Sequence, residues 1–389
     1  MSSNHNYEFV DSPEALQHCC EQLAKHHFIA VDTEFLRERT YYPILGLIQL
    51  ATPDYVACVD PLALDNLDPL KELLFDNNIT KLFHAGEQDL EIFFRLWGDI
   101  PKPIFDTQIA ATLIGAGESI GYAALVNKLL DVELDKSHTR TDWLHRPLSE
   151  KQLRYAAYDV IYLAQLYPIM HEQLEDLGRL DWLTDDFATL SSKDKYTVDP
   201  EQMWQKVKGV GKLKGSALVT ACKLAAWREQ QAIQKDRTRK RILSDDALLD
   251  LARVQPKKDS DLKRFRHLQH SSIQAQMKEL LKVIEDALKL PREQWPVIDR
   301  KRPLNPDQDA LLDSLMTIVR LRASEERVAS GAMASRKEME RLVRGERELD
   351  ILAGWRKKLV GTILLDFMDG KYVLYCKNQK LELTAANNI

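Results

Sequence analysis

Hydrophobic and polar positions along the chain follow two rhythms, and the change between them divides it. In the first part, short apolar runs recur, each closed by acidic or turn-forming residues. Residues 28–35, 44–51, 55–60, 81–85 and 104–105 read as strands, with Thr52-Pro53-Asp54 as a turn. Apolar residues at three- and four-residue spacing predict helices over 12–25, 67–77 and 87–97, the first opened by Ser12 and Pro13. Another starts at 106–108, with Asp106 as its N-cap. Three strands precede any crossover, and helices then flank the rest. The pattern predicts a mixed sheet flanked by helices, α/β in class. Residues 184–200 are polar and read as a linker. Beyond them the periodicity is helical almost throughout: 216–234, 244–252, 304–330 and 335–369, with Pro291, Pro296 and Pro303 marking a break.

Candidate chemistry sits where the apolar runs end. Asp32 and Glu34 close the first strand, and a side-chain period of two puts both on one face. Paired carboxylates at the end of a buried strand repel each other and lose hydration. A bound cation relieves both costs, and Mg²⁺ takes such hard oxygen ligands. Two solvated acids at a strand end are the alternative. Asp89 falls in the first turn of helix 87–97, at the carboxyl end of strand 81–85. Tyr155 and Asp159, four apart in Gln152-Leu-Arg-Tyr-Ala-Ala-Tyr-Asp159, share one helix face. His84 either touches a substrate phosphate or sugar or is structural. The loop 135–147, with His138, Trp143 and His145, either lines the path of single-stranded nucleic acid or packs through Trp143 and Leu144.

Asp32-Thr-Glu34, a strand-to-helix Asp89 and Tyr155-x-x-x-Asp159 together resemble the DEDD 3′→5′ exonucleases of the tyrosine subtype. The words around them, Phe35-Leu-Arg-Glu-Arg-Thr-Tyr-Tyr-Pro-Ile-Leu-Gly-Leu-Ile-Gln-Leu50, Phe105-Asp-Thr-Gln108 and Thr141-Asp-Trp-Leu-His-Arg-Pro-Leu148, are similar to the ribonuclease D family over roughly residues 5–190. The resemblance implies a ribonuclease-H-like fold and two divalent ions, Mg²⁺ or Mn²⁺, held by Asp32, Glu34, Asp89 and Asp159. It further implies Tyr155 orienting the attacking water and release of 5′-mononucleotides from the free 3′ end of RNA, such as precursor tRNA. Thr33, Phe35, His84 and Trp143 are candidate substrate contacts. The residues themselves do not separate RNA from DNA, because the group that meets the 2′-OH is not visible in them. A relic nuclease that only binds nucleic acid is disfavoured, since all four acids and the tyrosine are present.

Trp227-Arg-Glu229 through Ser244-Asp-Asp-Ala-Leu248 resembles an HRDC domain, with Thr238 where that family usually has proline, a change expected to loosen the turn. Trp355-Arg-Lys357 echoes Trp227-Arg-Glu229, so the C-terminal stretch reads as a diverged second copy. The expected division is 1–192 exonuclease domain, 200–290 first HRDC domain and 300–380 second HRDC-like domain, the last two all-α. Gly209-Val-Gly-Lys-Leu-Lys-Gly215 is glycine-rich and basic, but Lys206 stands where a phosphate loop needs its first glycine and no Ser or Thr follows Lys212. No ATP is expected.

Length and charge sharpen this picture. A chain of 389 residues accommodates two to three domains. Residues 1–200 carry 16 basic and 33 acidic side chains, 201–300 carry 22 and 13, and 301–389 carry 16 and 13, giving −17, +9 and +3 within a total of −5. An acidic half that needs cations beside a basic middle favours contact with a phosphate backbone. The five cysteines (19, 20, 58, 222, 376) form no Cys-x-x-Cys pair and read as reduced. With no secretory signal and no membrane-length apolar run, the expected location is the cytoplasm.

Overall fold

The computed structural model describes residues 7–134, 141–262, 265, 276–298 and 302–388. It divides into two compact units, one of residues 1–34, 46–195 and 303–389, the other of 35–45 and 196–302.

The first unit is built on a six-stranded sheet. Its elements begin with β1 (Glu8–Val10), α1 (Pro13–Leu23), β2 (Phe28–Leu36), β3 (Ile44–Ala51), β4 (Val56–Val59), α2 (Asp68–Leu74), β5 (Thr80–Phe83) and α3 (Glu87–Trp97). There follow β6 (Ile104–Asp106), α4 (Thr107–Leu113), α5 (Tyr122–Leu130) and α6 (Glu150–Asp176). The strand order is β1-β4-β3-β2-β5-β6. β3 and β4 pair antiparallel, whereas β2, β5 and β6 run parallel, with Phe28 opposite Thr80 and Phe83 opposite Asp106. The sheet is therefore mixed, in line with the α/β expectation, and the parallel strands end at one edge. Ile29, Ala30 and Val31 are fully buried, which is why β2 reads as a continuous apolar run rather than an alternation. Lys81 is the exception in that core: its ammonium donates to the carbonyls of Asp76 (2.9 Å), Ile79 (2.6 Å) and Lys102, and burial lowers its pKa to about 8.

The long helix α6 opens with a capping box between Ser149 and Gln152. One side packs Ala156, Ala157 and Ile161 on Leu47, Cys58 and Trp143; another puts Val160, Leu163 and Met170 into the main core. That main core continues into residues 303–389 through Leu312, Leu315, Ile318, Met333 and Trp355.

Two expectations need correction. The stretch 184–200 holds the helices Thr184–Leu190 and Lys193–Tyr196. Its polar composition hides two anchors, Leu190 in the interior and Phe187 edge-on to Phe105 at 5.5 Å. The C-terminal stretch is not all helix: Tyr372–Lys377 and Lys380–Ala385 form an antiparallel hairpin, turned by Asn378 and Gln379, both at positive φ. A two-residue turn of that kind matches the twist of the strands it joins.

In the second unit the helix Gly215–Gln234 is central, packed by Asp245–Val254 and Met277–Lys289. Arg228 is buried and donates to the Leu243 carbonyl (3.1 Å) and to Asp245 (2.7 Å). Glu229, fully buried, accepts from the Tyr41 hydroxyl and from Arg239. Asp236 accepts from the amides of Tyr41 (3.0 Å) and Tyr42 (3.1 Å). Thr238 caps Arg239–Ile242 at φ −58, the angle proline would impose, so the turn keeps its shape without the ring.

Candidate active site

Acids from sequence-distant segments meet at the edge where β2 and β5 end. Asp32 and Glu34 leave β2 on one face. α6 brings Asp159, and one oxygen from each of the three lies within 4.8 Å of the others. Asp89, in the first turn of α3, is outside that set of converging oxygens. Its Oδ1 receives the Thr33 hydroxyl, yet among the neighbouring charges it bears most strongly on Asp32. Alternation along β2 thus sets Thr33 apart: it faces away from the acids flanking it and ties β2 to α3.

The electrostatics are those of like charges held together out of water. Burial first, then Asp89, Asp159 and Glu34, push the Asp32 carboxyl well above its ordinary value. Burial first, then Asp159 and Asp89, raise Glu34 to about 8. Burial likewise raises Asp89 to about 6, against the Thr33 hydrogen bond, and Asp159 to about 7, against one from Tyr155. Such a set of hard oxygen donors, close and poorly hydrated, fits a divalent cation of the Mg²⁺ or Mn²⁺ type. Among the described residues no other cluster of three such groups meets the same spacing.

Tyr155 lies one helical turn from Asp159 and hydrogen-bonds it; burial and the surrounding acids hold its phenol above the usual value. Trp143 is buried, with its ring 6.4 Å from that of Tyr155, so it packs behind the tyrosine rather than facing solvent. Gly46 permits this: a Cβ there would lie 2.8 Å from the Trp143 carbonyl. Arg146 locks the same loop by bonding Asp60, the Gly46 carbonyl and the Trp143 carbonyl. His145 is exposed, and His138 lies outside the described residues. His84 is turned inward, its Nδ1 2.9 Å from the Thr107 hydroxyl, and burial lowers its pKa. Phe35 is half-buried at the end of β2.

Two supports escaped sequence reasoning. Tyr122 on α5 donates its hydroxyl to the Asp159 carbonyl, bracing α6 at the acid. Asp106 does cap α4, accepting from Gln108 (2.9 Å) and Ile109 (3.2 Å), but it also accepts from Gly86 (2.8 Å) and Ala85 (3.3 Å). At the junction of strand and helix its sequence offered a cap or a fifth metal carboxylate, and not these bonds to the earlier turn.

Comparisons with known proteins agree with this geometry. A family model described as 3′-5′ exonuclease matches residues 7–175, and the HRDC domain model matches 220–284. Ribonuclease D of Sphingobium indicum is 39% identical over 384 residues, covering 97% of this chain and 98% of that protein. Ribonuclease D of Bartonella henselae is 36% identical over 382 residues, covering 97% and 94%. The crystal structure of Escherichia coli RNase D, described as an exoribonuclease involved in structured RNA processing, matches with a TM-score of 0.82 at 32% identity, over 94% of this chain and 99% of that one. Converging acids from β2 and α6 with Asp89 of α3 acting on them, an HRDC match over residues 220–284 and end-to-end similarity to these enzymes make the chain a member of the ribonuclease D family, a 3′→5′ exoribonuclease.

Proposed function

We propose that this exoribonuclease trims the single-stranded 3′ ends of structured RNAs, precursor tRNA among them, in the cytoplasm, releasing 5′-mononucleotides. Asp32, Glu34, Asp89 and Asp159 hold two divalent ions, Mg²⁺ or Mn²⁺. The observation that carries the reading is the convergence of Asp32, Glu34 and Asp159 within 4.8 Å, with burial opposing their negative charge. When bound, the ions supply Lewis acidity, making water a stronger acid and stabilising the departing 3′ oxygen.

The chain's own groups do the rest. Asp32 and Glu34 are held by β2, which is anchored through its buried Ile29, Ala30, Val31 and Thr33. Thr33 holds Oδ1 of the Asp89 carboxylate, leaving Oδ2 for a cation. Tyr155 keeps its proton at neutral pH and, anchored on Asp159, orients the water that attacks the terminal phosphodiester. Trp143 acts through Tyr155, as a wall behind its ring. Thr33, Phe35 and His84 remain proposed contacts for the last nucleotides. The stretch 300–380 is proposed as a second, diverged HRDC-like domain following the first at 200–290 and the nuclease at 1–192, one that closes on the nuclease core. The chemistry uses no ATP.

The test is digestion of a 3′-extended tRNA beside a matched DNA oligonucleotide, with and without chelator. Chelator-sensitive release of 5′-mononucleotides from the RNA is expected. Digestion that ignores chelator, or that prefers the DNA, overturns the reading.

A further inference from the structure

The turn between β5 and α3 has one short bond of its own, from the Glu87 amide to the Ala85 carbonyl at 2.9 Å, and strain to offset. Ala85 sits at φ +57, a region that residues with a Cβ rarely adopt. Gly86 has no room for a side chain, since a Cβ would lie 2.5 Å from that of Phe83. The turn is also held from the neighbouring strand. The buried Asp106 carboxylate accepts from the amides of Ala85, Gln108 and Ile109 at Oδ1 and from that of Gly86 at Oδ2. Thr107 beside it donates to the Phe83 carbonyl at 3.1 Å and meets His84 at 2.9 Å. A helix cap needs only the amides of its own helix. The bonds to residues 85 and 86, some twenty positions away, go beyond capping. Three residues past Gly86 the chain delivers Asp89 to Thr33.

We infer that Asp106 is a positioning residue of the acid site: by clamping the turn at Ala85 and Gly86 it sets the start of α3 and so the place of the Asp89 carboxylate, with Thr107 as the second half of the brace. This rests on the reading of Asp89 as a metal ligand. Outer residues that orient metal ligands typically change affinity about 10- to 100-fold when replaced. A residue that only caps α4 changes stability and leaves the affinity of the folded protein alone.

The experiment measures Mn²⁺ binding to the full chain by the electron paramagnetic resonance signal of free Mn²⁺, together with the Mg²⁺ dependence of turnover and the melting temperature. Asp106→Asn and Thr107→Val are each expected to weaken Mn²⁺ binding about tenfold or more. The Mg²⁺ concentration for half-maximal turnover rises in step, and kcat recovers at saturating Mg²⁺. Ser12→Ala, which removes the α1 cap far along the chain, is expected to lower the melting temperature without moving Mn²⁺ affinity. If Asp106→Asn does not fold, Thr107→Val decides alone. Parental Mn²⁺ affinity in whichever brace variant folds overturns the inference. Asp89→Asn separates the two levels: if it binds Mn²⁺ and digests RNA as the parent does, the assignment of the site fails. If it is inactive while the brace variants bind normally, only the positioning role fails.

Discussion

At the residue scale, Asp32, Glu34, Asp89 and Asp159 are held together at a cost in stability. Each carboxyl binds its proton more tightly in the folded chain than in the unfolded one, where it titrates near 4. Between about 4 and about 8 the folded state therefore carries the excess protons, and raising the pH through this window lowers stability. Metal-free protein is expected to lose melting temperature from pH 5 to pH 8, and saturating Mg²⁺ to restore it, with Glu34→Gln flattening the metal-free profile. Calorimetry at a series of pH values checks this; a metal-free profile that rises over the same window contradicts it. The same balance makes Asp32→Asn more stable than the parent without metal, while its turnover falls by more than about two orders of magnitude, since even outer supports of a metal site cost 10- to 100-fold. A stopped assay on 3′-extended RNA, paired with a melting curve, reads both.

At the element scale, the turn after helix Gly215–Gln234 is held by charge as well as by packing. Burial raises the Glu229 carboxyl, but hydrogen bonds from Arg239 and Tyr41 outweigh it, and the net shift is downward. A lowered carboxylate contributes stability above its unfolded pKa, near 4.3, and loses it as the pH falls through the folded value. Glu229→Gln should destabilise the second unit by about 2–3 kcal/mol at neutral pH, below the full penalty for breaking a buried pair because Arg239 is partly exposed. The difference should shrink in acid. Thr238→Pro should stabilise the same turn by about 0.4–1 kcal/mol, the φ being already in place. Denaturant titration measures both. In the sequence, Trp227-Arg-Glu229 pointed to the helical module, but the partner of Glu229 did not. Tyr41 lies 188 positions earlier, in the stretch Phe35–Leu50 that carried the family resemblance.

At the scale of the whole molecule, the nuclease does not end where its motifs end. Arg179 is buried, donates to the carbonyls of Leu113 (2.6 Å) and Glu326 (2.7 Å), and rests over Trp182. Trp182 stacks on Trp355 at 4.9 Å, Arg356 covers Trp355 from above, and its guanidinium reaches Asp186. Residues 303–389 thus share one core with the sheet. Truncation after residue 192 should expose Leu113, Leu183 and their neighbours and yield aggregation or a lowered melting temperature. Trp355→Ala in the full chain should cost about 3–5 kcal/mol. A fragment 1–192 that melts like the intact chain would contradict the shared core. Among the described residues no helix is long and apolar enough to cross a membrane.

Local periodicity carried β2 to β6, helices α1 to α3, the helix Gly215–Gln234 and the α/β class, but left β1, the extent of α6 and the C-terminal hairpin unread. Asp32 and Glu34 on one face, and Tyr155 one turn from Asp159, follow from backbone geometry that a few consecutive residues suffice to set. What only the tertiary structure decided is what meets what. Thr33 holds Asp89 across 56 positions, Asp106 clamps a turn twenty residues earlier, and Glu326 closes on Arg179 across 147. None of these pairings has a local period to betray it. Each arises because parallel strands bring their ends to one edge, and because an apolar core closes over whichever segments can complete it.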